Sequence, residues 1–515
     1  MVGELRYWMP EWGSWLCLLT ALLFTLMVAL MERNRKKPKL PPAPLALPII
    51  GHMHLLAGAS HPADALAHLS KRYGPLISLK LGSIPFIVAS TPETARQILQ
   101  AYDHAFAFRA PLAATSSIYG DSFGIIFADL GPNLRFLRQL CATDLFNTRR
   151  LQAFKPIRDE EVRMLLQSIF YEVSKCAESI GSRRPVHLRP HVQAATNNII
   201  SRMIVGDKTE VVRPVILETS EAFSAVNIGD FFPWIQWADL QGCVKRCRKA
   251  AVKLHAAVQD VIELRRAQRG GSYDPPADML DMLLSASLVS ASDVKIEDAH
   301  IRATLIDIFG GATDTSAIVL EWAMAELLAT PSKLKAAEEE VLFMISSKRD
   351  KNETIEEDDI QRMPYLRAVV KETMRLHPVL PLLLPRESRQ ACNILEYEIP
   401  AKTQAFVNIW AIGRDPNVWD SPKDFLPERF LDNNIDVRGR HFELLPFGAG
   451  RRVCPGQNLG LLNIHVILAH LLHAFSWSPH DLQYDMSEKF GLLINKATPL
   501  LAYATPRLPR EFYML

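Results

Sequence analysis

The chain has 515 residues, of which 48% are hydrophobic and 22% are charged, a balance that excludes an intrinsically disordered protein. The formal net charge is only +2, and basic and aromatic residues are not interleaved, so no nucleic-acid-binding surface is expected. The seven cysteines form no C-x-x-C pair and are odd in number, which is typical of a cytosolic chain and excludes a fully paired disulfide framework.

A long apolar segment is the first predicted element. Residues 14–31 are uncharged and just long enough to cross a bilayer as a helix. Glu4 and Glu11 precede this segment, whereas basic residues follow it at positions 33, 35, 36, 37 and 39. Because positive residues stay on the cytosolic side, we expect residues 1–13 to be luminal and the rest of the chain, after a retained signal anchor, to be cytosolic. The alternative, a cleaved secretory signal, needs a basic region before the apolar stretch and a small-residue cleavage site after it; the sequence has neither.

The segment 32–50 is basic at its start and then rich in proline, at positions 38, 41, 42, 44 and 48. Proline lacks an N–H and fixes φ, so this spacing excludes a helix and predicts a stiff hinge before a body at 51–515. The alternative is a solvated linker with no orienting role. The sequon at Asn352 provides a check, because a cytosolic body cannot receive a glycan there.

After Gly51 the sequence has no internal repeat and no second marked linker, so one large domain is expected. Short β-branched runs at 76–81 and 86–89 predict a small sheet. Apolar residues at helical spacing dominate the rest of the body. The predicted helices are 92–101, 135–145, 156–173, 246–268, 297–329, 331–347, 364–376 and 459–475.

The predicted helix 297–329 is unusually long and contains Gly310 and Gly311 in its middle. Each glycine in a helix interior costs up to roughly 1 kcal/mol relative to alanine. We therefore expect that something approaches this backbone closely. The alternative is a crossing with another helix that only glycine permits.

Cys454 lies in the run 446–456, PFGAGRRVCPG, directly before an apolar helical pattern. A lone cysteine is usually a buried filler. Here the glycines allow a tight loop whose N–H groups point at the sulfur, and the following helix presents its positive end. Both effects favour the thiolate over the thiol.

This run matches the signature Phe-x-x-Gly-x-Arg-x-Cys-x-Gly at every fixed position and resembles the haem-binding loop of the cytochrome P450 family. The resemblance spans nearly the whole chain and is greatest to the plant microsomal branch. It implies a mainly α fold with small β-sheets, preceded by one N-terminal transmembrane helix, and haem b as cofactor. It also implies that Cys454 is the axial iron ligand, that Arg452 contacts a haem propionate, and that Phe447 packs beside the sulfur, with Gly456 completing the signature.

Two upstream motifs extend the resemblance. Glu372 and Arg375 are three residues apart on a predicted helix, so they share a face and can form an ion pair. The resemblance adds Arg429, in the run PERF, as a third member that locks the loop below the haem. Taken alone, a Glu-x-x-Arg pattern is usually a solvated helix pair.

The middle of the long helix, 311–316, is similar to the family segment that opens over the oxygen-binding face. The resemblance implies that Asp314 and Thr315 are the acid and the alcohol that relay protons to dioxygen, a task that needs an ionisable group and a hydroxyl. Ala312 replaces the usual glycine, which puts the local groove width in doubt.

Further arginines are expected to neutralise the propionates, because arginine binds carboxylates in a bidentate manner. The run 131–138 resembles a family helix that begins with tryptophan and arginine, but it has Leu134 in place of the tryptophan, so one donor is lost. Arg138, together with Arg135 and Arg386, is expected to take over this role. The alternative for each is a plain surface position.

The resemblance implies a monooxygenase of the endoplasmic reticulum membrane that inserts one atom of O2 into a small hydrophobic or aromatic substrate, with electrons from an NADPH-cytochrome P450 reductase. A plant specialised metabolite is expected, with phenylpropanoid or flavonoid hydroxylation favoured and a terpenoid or fatty acid as alternatives. The resemblance also implies that the walls of the substrate pocket come from the segments 118–126, 223–234, 308–315 and 379–384; the alternative for each is a plain core position. Two other functions stay open: a haem-dependent isomerase or dehydratase without oxygen activation, and a non-catalytic haem-binding membrane protein. The presence of Asp314 and Thr315 argues against the first, and reductase-supported turnover would exclude the second.

Overall fold

The computed structural model describes residues 38–58, 61–120, 124–178, 184–208, 212–273, 275–288, 296–348, 355–481, 484–491 and 493–514. The predicted luminal tail, the signal anchor, the start of the hinge and the sequon at Asn352 lie outside these residues.

Helices make up most of the described body. The longer ones are α1 Pro62–Tyr73, α2 Pro132–Leu140, α3 Lys155–Glu178, α4 Leu188–Val205, α5 Val212–Ser224, α6 Cys243–Arg269, α7 Met279–Leu288, α8 Asp298–Ala312, α9 Asp314–Ala329, α10 Pro331–Ser346, α11 Pro364–Leu376 and α12 Gln457–Ala474. Shorter helical turns are Met53–Leu55, Pro92–Arg96, Gln97–Ala101, Asp103–Phe106, Ala113–Tyr119, Cys141–Leu145, Thr148–Ala153, Ile228–Phe231, Pro233–Ala238, Glu357–Arg362, Ile409–Ile412, Pro427–Phe430, Gly450–Arg452 and Arg510–Tyr513. Local signals set several ends: the His61 ring caps α1, which begins with proline, and Gly206 ends α4 in the left-handed conformation (φ 77°).

The strands are short and form small sheets. They are β1 Leu76–Leu81, β2 Ile84–Ala89, β3 Val186–His187, β4 Arg386–Glu387, β5 Cys392–Ile394, β6 Tyr397–Ile399, β7 Gln404–Val407, β8 Phe475–Pro479, β9 Glu488–Lys489, β10 Asn495–Lys496 and β11 Leu501–Pro506. One sheet has the order β1-β2-β7-β4, with β2 and β7 parallel, and another has the order β3-β11-β8. The pairs β5-β6 and β9-β10 complete the strands of the described residues.

The helices α8 and α9 run through the core. Within α9, Leu320 and Trp322 are fully buried, and the helix packs against α4, α11 and α12. Among the described residues, Asp298–Ala329 is long and apolar enough to cross a membrane, but 72% of its apolar window is buried inside the protein. This burial identifies the segment as a core helix.

The predicted mainly helical fold with small sheets is confirmed. The predicted strands and helices are present, with ends that differ by a few residues, but the helix predicted at 297–329 is interrupted at Thr313. The helices α1, α4, α5 and α7 were not predicted. In α4, Pro190 and the pair Asn197 and Asn198 resemble turn signals; the proline is tolerated because it lies in the first helical turn.

The described part of the proline-rich segment is attached to the body. Ser78 N donates to the carbonyl oxygen of Pro42 over 2.9 Å, and Glu398 N donates to that of Lys39 over 2.9 Å. The Lys39 ammonium also pairs with Glu396. Residues 38–50 contain no long helix, and these bonds attach this described part to the body from Lys39 onward.

Candidate active site

The loop before α12 brings Cys454 to the edge of a large internal cavity. Gly448 (φ 68°) and Gly450 (φ 71°) both adopt the left-handed conformation that favours glycine. A Cβ at Gly450 would lie 2.2 Å from the carbonyl oxygen of Leu99, so a larger residue does not fit there. Cys454 N donates to the carbonyl oxygen of Phe447 over 3.0 Å, and both residues line the cavity.

Burial dominates the electrostatics of the Cys454 thiol. It raises the pKa of Cys454, whereas the N–H of Gly456 and the charge of Arg138 lower this pKa. The expected stabilisation of the thiolate by the loop is therefore present, but desolvation outweighs it. A metal cation bound to the sulfur is the interaction that keeps such a thiol deprotonated.

The cavity has a volume of about 930 Å³ and lies between the Cys454 loop and the middle of the central helices. The predicted wall segments 118–126, 308–315 and 379–384 all contribute residues to its lining. The predicted segment 223–234 contributes mainly at its start, through Phe223 and Ala225, whereas Trp234 is 65% exposed. Several wall segments were not predicted: α4, for example Gln193, α5, for example Ile216, the start of α12, for example Leu459, and residues of 489–491 and 493–495.

The central helix opens beside the cavity. The helix α8 ends at Ala312, and α9 begins at Asp314 after Thr313. The Thr315 hydroxyl donates to the carbonyl oxygen of Gly311 over 2.9 Å. A Cβ at Gly311 would meet nothing within 4 Å, so the predicted alternative of a helix crossing is wrong. The glycine pair instead leaves open space for a group inside the cavity.

Asp314 lies next to Thr315 on the same wall. Its Oδ1 accepts a hydrogen bond from Gln193 Nε2 over 3.4 Å. Burial raises the pKa of Asp314, although the charge of Arg213 and the Gln193 hydrogen bond oppose the shift. The two residues predicted to relay protons are therefore adjacent, and Asp314 takes up a proton more readily than a solvated aspartate.

A group of arginines, here called the arginine cluster, lines the other side of the cavity and consists of Arg109, Arg138, Arg386 and Arg452. Desolvation lowers the pKa of Arg452 to about 10, with further lowering by the charges of Arg386 and Arg138. Desolvation and the charges of its neighbours also lower the pKa of Arg109. Like charges that depress one another's pKa form a site for an anion.

The contacts of the arginine cluster are mostly with main-chain carbonyl groups. Arg452 Nε donates to Ala107, and Arg138 Nη2 donates to Val453, each over 2.8 Å. Within the described residues, Arg386 is the member with an ion pair, to Asp103 at 2.7 Å. The cluster therefore carries an excess of buried positive charge, which fits the two carboxylates of a haem.

The structure separates the predicted propionate donors. Arg138, Arg386 and Arg452 come together, whereas Arg135 is exposed and does not line the cavity. Arg109 was missed as a donor. Its half-buried position between main-chain carbonyls is a tertiary feature with no periodic signal in the sequence.

Asp307 is a second residue that the sequence did not single out. It is buried in α8 and lines the cavity. Its carboxylate accepts hydrogen bonds from the Tyr119 hydroxyl and from the N–H groups of Ile125 and Ile126. It therefore attaches one cavity wall to the central helix.

The predicted ion pair on α11 is present. Arg375 donates through Nε and Nη2 to the two oxygens of Glu372, each over 2.7 Å, and both side chains are fully buried. Arg429 Nε lies 3.1 Å from Glu372 Oε1. Arg375 also donates to the carbonyl oxygen of Pro422 over 2.7 Å, which fixes the neighbouring loop.

The family model for cytochrome P450 matches residues 41–502 of this chain. The chain belongs to the cytochrome P450 family. A flavonoid 3',5'-hydroxylase of Eustoma exaltatum subsp. russellianum is 37% identical over 500 residues, covering 95% of this chain and 95% of that protein. Trimethyltridecatetraene synthase of Zea mays is 39% identical over 537 residues, covering 97% of this chain and 94% of that protein.

A zebra fish cytochrome P450 solved with progesterone has the same fold. Its TM-score is 0.72 at 24% identity, with 87% of this chain and 100% of that chain covered. Family membership and the plant relatives make this chain a plant cytochrome P450 monooxygenase. The family implies haem iron as the cofactor, and the Cys454 thiol at the cavity edge, the cavity and the arginine cluster fit that group.

Proposed function

We propose that this cytochrome P450 hydroxylates a small aromatic plant metabolite, a phenylpropanoid or a flavonoid. The observation that carries this proposal is a row of aromatic rings along the cavity wall. The rings of Tyr119 and Phe127 lie 5.7 Å apart between centroids, and those of Phe127 and Phe223 lie 5.4 Å apart. All three residues line the cavity, and such a row suits a flat aromatic ring.

The cofactor supplies the redox chemistry, since thiolate-ligated haem favours cleavage of the O–O bond. The chain holds the cofactor, orients the substrate and supplies protons to the reaction. Cys454 would hold the haem iron through its sulfur, and the arginine cluster would hold the propionates. Asp314 delivers a proton by way of the Thr315 hydroxyl, which lies at the opened helix. The apolar walls orient the substrate and exclude water.

Electrons come from an NADPH-dependent reductase in this proposal, and one atom of O2 enters the substrate while the other becomes water. The similarity to trimethyltridecatetraene synthase supports a terpenoid as the second substrate class. An isomerase or dehydratase would need neither a reductase nor a proton relay. The presence of both Asp314 and Thr315 at the cavity wall therefore favours oxygen activation.

The test is a binding-spectrum screen of plant phenolics, flavonoids and diterpenoids, followed by turnover with reductase, NADPH and isotopically labelled O2. The proposal expects labelled oxygen in an aromatic product. A labelled terpenoid product would overturn the substrate class. Rearrangement without O2 consumption would identify an isomerase, and haem binding without turnover of any compound would identify a non-catalytic protein.

We also propose that the chain is held in the endoplasmic reticulum membrane by residues 14–31, with the body in the cytosol. Exposed apolar side chains support a second contact with lipid, since Ile49 is 77% exposed and Trp237 is 86% exposed. Their two segments meet at the β1-β2 turn, where Gly82 N donates to the carbonyl oxygen of Ile50 over 3.2 Å and Ser83 N donates to that of Phe231 over 2.9 Å.

Membrane topology is tested by adding protease to intact microsomes. The proposal expects digestion of the body and an unglycosylated Asn352. Protection of the body together with a glycan at Asn352 would place it in the lumen.

A further inference from the structure

Behind the cavity wall, His377 lies between two carboxylates. Its Nε2 lies 2.7 Å from Glu326 Oε1, and its Nδ1 lies 3.0 Å from Glu488 Oε1. The imidazole stacks on Trp322 with the ring centroids 3.8 Å apart and an interplanar angle of 2°. The His377 side chain is 7% exposed. Since carboxylate oxygens accept hydrogen bonds, the ring satisfies both neighbours when both of its nitrogens carry a proton.

Glu488 is the point where several elements meet. Its Oε2 accepts a hydrogen bond from Trp410 Nε1 over 3.2 Å and lies 2.8 Å from His61 Nε2. Arg414 Nη2 lies 3.6 Å from Oε1. Burial alone raises the pKa of Glu488, but hydrogen bonds from His377 and His61 and the charge of Arg414 bring this pKa below its ordinary value.

The charges of the two carboxylates and the two basic side chains around His377 balance when both nitrogens of His377 carry a proton. Glu326 and Glu488 contribute two negative charges, and His377 and Arg414 contribute two positive charges. The His61 ring is oriented by Asp64, whose N–H donates to His61 Nδ1 over 3.2 Å and leaves Nε2 facing Glu488. A buried network of ion pairs and hydrogen bonds that joins several elements holds them in one arrangement.

Glu326, His377 and Glu488 lie in or next to elements that form the cavity wall. Glu326 lies in α9, the helix that begins with Asp314 and Thr315. His377 directly precedes the wall segment 378–384, of which Pro378, Val379, Leu380, Leu383 and Leu384 line the cavity. Glu488 directly precedes Lys489, Phe490 and Gly491, which also line it. The two wall segments are joined by a hydrogen bond from Ile494 N to the carbonyl oxygen of Val379 over 2.9 Å.

We propose that His377, held between Glu326 and Glu488, is a positioning residue that sets the shape of the substrate site by fixing the segments 378–384, 489–491 and 493–495 to the central helix. None of the three residues lines the cavity, so their effect on a ligand passes through these segments. Small displacements of such a wall change the orientation of a substrate. The proposal rests on the proposed function in taking the cavity as the substrate site.

The test uses two azoles that bind haem iron and differ in size. Imidazole reports access to the iron, whereas 4-phenylimidazole also contacts the wall. The variants are Glu488→Gln, His377→Gln and Glu326→Gln, which keep the volume of the side chain or nearly so and remove a charge. We expect each to weaken 4-phenylimidazole binding by about tenfold, an effect typical of one lost positioning contact, with imidazole affinity changed less than about twofold.

The matched control is Glu161→Gln. Glu161 is also a buried carboxylate, 1% exposed, paired with Arg202 at 2.7 Å, but it does not line the cavity, and its partners Asn198 and Arg202 lie on α4, away from the segments 378–384 and 489–491. We expect the control to retain the wild-type ratio of the two affinities. Hydrogen exchange measured on the apo and haem-loaded protein should accelerate in 378–384 and 488–496 in the three variants only.

An unchanged affinity ratio together with unchanged exchange in these segments would overturn the proposal. An equal loss of 4-phenylimidazole affinity in the control and in the three variants would also overturn the proposal, because the loss would then reflect general instability of the protein. If Glu488→Gln does not fold, Glu326→Gln decides the question, since it leaves the other partners of Glu488 in place. Both azoles are read on the iron itself, so failure to find a hydroxylated product would remove the proposed function and leave this result intact.

Discussion

Tyr119 and Asp307 are 188 residues apart in sequence and share a hydrogen bond of 2.7 Å at the cavity wall. Burial raises the pKa of Asp307 to about 6, although the Tyr119 hydroxyl and the N–H groups of Ile125 and Ile126 oppose this shift. The folded protein therefore binds a proton at Asp307 more tightly than the unfolded chain does.

This difference in pKa predicts a pH-dependent stability. Because the pKa is raised from 3.8 to about 6, the stabilisation by the protonated form is complete below about pH 4 and is lost as the pH rises through about 6. Relative to Asp307→Asn, the free energy of unfolding of the wild type should fall by about 2 kcal/mol between about pH 4 and about pH 7. Urea unfolding at several pH values measures this difference. The exposed Asp432→Asn should show no such trend, and a difference that rises with pH would contradict the assignment.

Thr315→Ala should separate electron consumption from product formation. The variant loses the hydroxyl at the opened helix, so coupling of NADPH oxidation to product should fall on the order of tenfold, with hydrogen peroxide formed instead. Thr315→Ser keeps a hydroxyl and should retain most of the coupling. Equal coupling in the two variants would remove Thr315 from the proton relay.

Cys454→Ser should abolish the thiolate-type absorption spectrum of the reduced carbonyl complex, because an alcohol does not replace the thiolate as an iron ligand. The measurement is a difference spectrum on protein reconstituted with haem. Cys141→Ser is the control, since Cys141 is buried but does not line the cavity. A normal spectrum in the Cys454 variant would refute the ligand assignment.

Arg375→Leu should leave Glu372 as an uncompensated buried charge. Loss of one partner of a buried ion pair costs about 3–5 kcal/mol, so we expect little folded, haem-loaded protein. The yield of haem-loaded protein and its thermal unfolding measure the effect. Lys335→Ala, which breaks an exposed contact with Glu339, should change neither quantity, and a harmless Arg375→Leu would show that the network is dispensable.

Arg109→Gln should weaken retention of haem, whereas Arg135→Gln should not. Arg109 is half-buried in the arginine cluster and lines the cavity, whereas Arg135 is exposed and does not line it. Transfer of haem to an excess of a haem-scavenging globin measures retention. Faster transfer from the Arg135 variant than from the Arg109 variant would reverse the assignment of these residues.

Much of the site followed from sequence because its signals are local. The run around Cys454, the three-residue spacing of Glu372 and Arg375, and the glycines before Asp314 each lie within one turn or loop. Arg109 and Asp307 were missed because their roles depend on carbonyl or N–H groups brought from distant segments. Likewise, the exposure of Arg135 follows from the rotation of α2 against the core, which a short helix pattern does not fix.

The arginine cluster also bears on how the protein matures. Its buried guanidinium groups exceed the carboxylates that pair with them in the described residues, so a chain without its cofactor keeps mutually repelling charges in the interior. A ligand that binds only the native state shifts the folding equilibrium toward that state. Binding of the porphyrin would then stabilise the folded chain, so a shortage of porphyrin would lower the amount of folded protein that persists in the cell.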